Sequence, residues 1–140
     1  MKGIKTLIRL RKQQLDEKRK LLAEQENEKL RLEQALSALQ QELKKEQKLA
    51  AESPDIAFML VRYAEENKQK QKRISEAIDQ KNLDISQFEK ELHILFSELK
   101  KYDIALEQML AREAQEAKRK ETIMLDDIAQ ENFRNHKDNE

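Results

Sequence analysis

Between Lys48 and Leu60 the chain reads KLAAESPDIAFML, and this stretch holds the only proline among 140 residues. The one glycine is Gly3, almost at the start. Everything else is drawn largely from residues that favour helices. Ser53 suits an N-cap, Pro54 suits the first helical position, and Asp55 complements the positive end of a helix dipole. Proline also pushes the residue before it out of the helical region. The run therefore ends one helix and starts another within a few residues.

The residues on either side say what those helices do. From Ile4, alternating steps of four and three give Ile4, Ile8, Arg11, Leu15, Lys18, Leu22, Gln25, Lys29, Leu32, Leu36, Leu39, Leu43, Glu46 and Ala50. Most of these positions are apolar, and the frame never slips. After the break the same count gives Ala57, Leu60, Ala64, Asn67, Gln71, Ile74, Ile78, Lys81, Ile85, Phe88, Leu92, Leu95, Leu99, Tyr102 and Leu106. A sustained 3.5-residue repeat marks a coiled-coil seam. Near Met109 and Leu110 the frame shifts by four residues, a stutter, and continues as Leu110, Ala114, Ala117, Met124 and Ile128. Two seams joined by a short, capped break predict an all-α fold: a long antiparallel two-helix coiled-coil hairpin. The rival, a single kinked rod that pairs in parallel with a second copy, needs only the proline and leaves the capping run unused.

The expected boundaries are a single hairpin over 1–140, with helix one about 2–52, the turn at 52–55 and helix two about 54–134. At 1.5 Å per residue the helices measure about 75 Å and about 120 Å. Helix one then runs out of chain opposite roughly Leu106, which leaves a C-terminal helical overhang. Gln25 and Lys29 should fall opposite Lys81, a polar layer midway along the seam.

Composition narrows the function. Charged residues make up 40% of the chain and aromatics 4%, too few bulky apolar side chains for a thick core. Lys plus Arg and Asp plus Glu are both 28, mixed locally as in QENEKLRLEQ, which favours paired charges on a helix over charge-driven disorder. Cysteine is absent, so thiol and disulfide chemistry are too. No apolar run is long enough for a bilayer and no signal-peptide core follows the N-terminus, so a cytoplasmic protein is expected. His93 and His136 are the only histidines. Glu89 and His93 could supply at most half a metal site. A single glycine cannot build a phosphate loop or a nucleophile elbow. The reading is of a protein that is not an enzyme and uses no cofactor, metal or small-molecule substrate.

Three surfaces stand out. Residues 1–20 carry eight basic and two acidic side chains around Ile4, Leu7, Ile8 and Leu15. Such a segment can lie on an anionic membrane or track nucleic acid, or can pack its apolar face on helix two. Beside the turn, IAFMLVRY places Ile56, Phe58, Met59, Val61 and Tyr63 outside the seam. They either cap the hairpin tip over Leu43 and Leu49 or form a patch that a partner covers. In the overhang, Met124, Leu125, Ile128, Ala129 and Phe133 span one side, with Asp126, Asp127 and Glu131 beside them. The candidate partner-binding residues are Arg9, Arg11, Lys12, Phe58, Tyr63, Met124, Leu125, Asp126, Ile128 and Phe133.

TLIRLRKQQLDEKRKLLAE, Thr6 to Glu24, resembles the opening of bacterial flagellar export proteins of the FliJ type, particularly their alphaproteobacterial branch. FSELKKYDIAL, Phe96 to Leu106, and LDDIAQE, Leu125 to Glu131, are similar to that family's later helix. The resemblance implies a soluble, stalk-like coiled coil of the flagellar type III secretion apparatus, at the cytoplasmic base of the flagellum. It implies three partners: the ring of the export ATPase, the export gate protein, and the chaperones of export substrates. Membrane association would come only through those partners, and nucleic acid is not expected. The alternatives are a structural coiled coil that oligomerises through its overhang, and a basic amphipathic binder of membrane or nucleic-acid surfaces.

Overall fold

A computed structural model describes residues 2–138, and every described residue but Ser53 is α-helical. Helix α1 is Lys2–Glu52 and helix α2 is Pro54–Asp138. Ser53 alone separates them, and its carbonyl accepts the amide hydrogen of Ala57 at 3.2 Å, the first turn of α2. Asp55 lies in that turn, and Lys137 lies in the last one, each of the sign that suits its end of the helix. The expected reversal is thus present and tighter than 52–55. Helix α2 also runs four residues beyond the expected end.

The chain divides into two compact units, each built where α1 and α2 pack together. One is Gln13–Leu95, which contains the reversal. The other joins α1 up to Lys12 to α2 from Phe96 onward.

In the Gln13–Leu95 unit the helices are antiparallel. Lys18 pairs with Glu91 and Glu28 with Lys81, so ten residues forward on α1 match ten back on α2. Leu15, Leu43, Ala50 and Asn67 are buried. In the other unit Ile8 and Leu99 are buried, and Arg11 meets Glu98 at 3.4 Å. No large side chain is fully buried anywhere among the described residues. That is the geometry of a seam one residue thick. Two helices cover each other along a stripe and leave the remaining faces to water.

The seam of α1 is the one the spacing predicts. Every member from Ile4 to Ala50 is buried or half-buried, and Leu7 and Gln14 join them. On α2 the same holds from Leu60 to Leu106, but Ala57 is exposed. It lies in the first turn of α2, beside the reversal, where α1 has ended. Beyond the expected stutter α2 is the open overhang that the helix lengths predict. Met109 is half-buried, keeping the old frame, and Leu110 and all later described residues are exposed.

Polar members of the seam are bonded across it. Asn67 is 3% exposed, the most buried residue described. Its amide nitrogen donates to the Leu39 carbonyl at 3.0 Å, and its oxygen accepts from Gln71 Nε2 at 2.6 Å. A slip of one helix past the other would strand that amide in an apolar layer, so Asn67 fixes the register. Further along, Lys81 Nζ donates to Gln25 Oε1 at 2.8 Å and also pairs with Glu28. The polar layer is therefore where the sequence puts it, with Gln25 and Glu28 bonded to Lys81. Lys29, half-buried beside them, meets Glu33 of its own helix at 3.7 Å.

Lys18 is the other polar bridge. Its ammonium bonds Glu91 and lies 5.5 Å from the centre of the Phe88 ring, a cation–π distance. The hydrogen bond from Lys18 holds the Glu91 carboxyl below the usual carboxylate range, helped by a weaker bond from Gln87, while burial opposes. A lowered folded-state value favours the ionised form. The contribution to folding is complete above the ordinary carboxylate pKa and is lost as pH falls through the lowered one. Carbon-detected NMR titration should show Glu91 ionising below its neighbours, and Lys18→Ala should return its midpoint to the ordinary range. An unchanged midpoint in the variant would mean that Lys18 is not the cause.

Candidate partner interface

The apolar face of residues 1–20 is already in use. Ile4 and Leu7 are half-buried and Ile8 is buried in one unit, and Leu15 is buried in the other. What remains outside is the basic rim. Arg9 and Lys12 are exposed. Arg11, a seam position by spacing and also a candidate partner residue, is half-buried and pairs with Glu98. Its guanidinium stem fills a seam position while the charge is met inside the chain.

The residues beside the turn do not fold over the tip. Phe58 is 86% exposed, Met59 75% and Val61 70%, with Ile56, Tyr63 and Leu49 also exposed. Capping the tip over Leu43 and Leu49 is therefore not what the chain does. Only Ser53 is free of helix, so the first turns of α2 start at once and point these side chains radially outward. By helical spacing Ile56, Met59 and Tyr63 flank the seam on one side and Phe58 and Val61 on the other, over about two turns.

The longest open surface is the end of α2. From Leu110 to Asp138 every described residue is exposed. Its helix is supported locally. Arg119 reaches Glu116 at 2.9 Å. Such pairs contribute only a few tenths of a kcal/mol each. Among the described residues nothing covers the apolar side chains of the stretch: Ile123, Met124, Leu125, Ile128 and Phe133 are 48–69% exposed. Asp126 is exposed beside them. Burial on α2 ends at Met109, before this segment.

No family model matches the chain, and no curated protein or solved structure is significantly similar to it. The surface must be read from its own chemistry. Among the described residues no group of three or more His, Cys, Asp and Glu could hold a metal ion. His93 is exposed on α2, away from the seam. No described helix is long and apolar enough to cross a membrane. What the arrangement offers is helix surface. One patch is apolar and lies beside the turn. The other is a long amphipathic segment flanked by acids.

The spacing of Met124, Leu125, Ile128 and Phe133 was visible in the sequence as one side of a helix. The layer of Gln25 and Lys81 was legible too. The bond from Asn67 to the Leu39 carbonyl was not, and its only signal was a polar residue at a seam position.

Proposed function

We propose that this protein is a non-enzymatic, stalk-like adaptor of a flagellar-type protein export apparatus, acting at its cytoplasmic face. Its C-terminal segment seats in the ring of the export ATPase and promotes the ring's assembly or turnover. One observation carries the reading: α2 continues as helix from Leu110 to Asp138 with its apolar side uncovered by the rest of the chain. A helix of that length without packing is marginal in water. A binding partner that buries Met124, Leu125, Ile128 and Phe133 supplies the missing face. Asp126, Asp127 and Glu131 set the charge that such a partner must meet. Arg9 and Lys12, in the same unit, add basic contacts.

The identity of the machine rests on the resemblance of Thr6–Glu24, Phe96–Leu106 and Leu125–Glu131 to FliJ-type proteins. In this reading the Phe58–Tyr63 patch is free to meet a second component, either the export gate or an export chaperone. The rival use of residues 1–20 as a membrane or nucleic-acid binder is disfavoured by the packing of Ile4, Leu7, Ile8 and Leu15 within the fold. The direct test is reconstitution with the export ATPase of the same organism. Saturable binding with a rise in ATP hydrolysis is expected; no binding and no rise would remove the proposal.

A further inference from the structure

The open segment of α2 is complementary to itself. Its seam positions, Leu110, Ala114, Ala117, Glu121, Met124 and Ile128, lie on one face and are all exposed. We propose that in the free protein two copies pair antiparallel along this segment, with Ala117 of one opposite Ile128 of the other.

The first ground is charge. In that register Lys120 of each copy lies beside Asp127 of the other, and Glu113 beside Arg134. Two-fold symmetry makes each contact twice, so four attractive pairs flank the seam. All four side chains are exposed. The second ground is size. Small Ala114 and Ala117 face large or long residues of the other copy, Ile128 and Glu131, and Glu121 faces Met124. A parallel pairing in register would instead set Glu121 against Glu121 on the seam. The third ground is extent. The register places Leu110 opposite residue 135, so the overlap covers the open segment nearly end to end. It begins where the pairing with α1 stops, at Met109, and displaces nothing.

A seam with two alanines and two glutamates, Glu121 and Glu131, from each copy is thin, so the association is weak and concentration-dependent. It covers Met124 and Ile128, so self-pairing and docking on a partner exclude each other. The pairing stands on the segment's own charges and does not depend on which partner is the natural one.

Sedimentation equilibrium on the full chain tests this with two variants. E113R/K120E turns all four pairs into like-charge contacts, and so does D127K/R134E. Neither variant changes the net charge. Each alone should dimerise at least about tenfold more weakly than the natural chain. Mixed together they restore every attractive pair and should form a heterodimer as well as the natural chain forms its homodimer. Higher salt should weaken both. A natural chain that stays monomeric up to about 100 μM overturns the proposal. So do variants that self-associate undiminished, or a mixture that shows no gain. Circular dichroism confirms that each variant remains helical. ATPase stimulation is a separate readout, and its loss or survival leaves this result unchanged.

Discussion

Deleting residues 121–140 should abolish stimulation of the export ATPase and leave the melting transition of the remaining chain in place. The prediction follows from where the seam ends. The last inward residue of α2 is Met109, and nothing from Leu110 to Asp138 packs on the rest of the chain. The deletion therefore removes no buried apolar surface. Helical signal should fall roughly in proportion to the residues lost, and the midpoint of unfolding should move little. The docking side does go, since Met124, Leu125, Ile128 and Phe133 are all deleted. The Met124→Asp and Ile128→Asp double variant makes the same point without shortening the chain. A charge on each of two central positions costs an interface far more than it costs an exposed helix. Stimulation that survives both changes would mean that the segment is a solvated helix end, with the Phe58–Tyr63 patch left to carry binding.

The opposite pattern is expected at Leu99. It is 6% exposed, the most buried apolar residue described, and lies in the unit formed by α1 up to Lys12 and α2 from Phe96. Leu99→Ala removes three carbons from a seam one residue thick. Core leucine truncations cost about 2–5 kcal/mol, and a seam open to water on both sides collapses more readily than a closed core. The lower half of that range, about 2–3 kcal/mol, is expected. In a fold with stability of only about 5–15 kcal/mol this is a large loss. Urea denaturation should show the midpoint drop. Leu110→Ala, equally conservative but at an exposed position, should change it by less than about 0.5 kcal/mol. Equal effects at the two sites would contradict the seam boundary at Met109.

The hairpin was legible because it rests on local rules. Ser53, Pro54 and Asp55 are read one residue at a time, and the 3.5-residue repeat from Ile4 to Ala50 is a count. That count was right to the residue on α1. On α2 it failed only at Ala57, which keeps the spacing but lies where α1 has stopped. The open frame from Leu110 onward is the overhang that the two helix lengths predict. Periodicity tells which side of a helix is apolar; it does not tell whether anything lies opposite. For the same reason the side beside the turn could be read either as a cap or as an open patch. Only the position of the backbone at Ser53 decided it. Arg11 and Lys18 were seam positions by spacing, but their acidic partners, Glu98 and Glu91, were not legible. Those partners lie many residues away, and only the register brings them together.

Hydrogen–deuterium exchange, read with and without the export ATPase at a chain concentration low enough to keep it monomeric, tests the docking claim most directly. In the free protein the amides of residues 110–138 should exchange faster than those of the paired helices, because no tertiary contact holds that segment closed. Adding the ATPase should slow exchange across 110–138, most around Met124 to Phe133, and leave Ile56 to Tyr63 unchanged. Slowing confined to Ile56–Tyr63, with the end of α2 exchanging as before, would contradict the account.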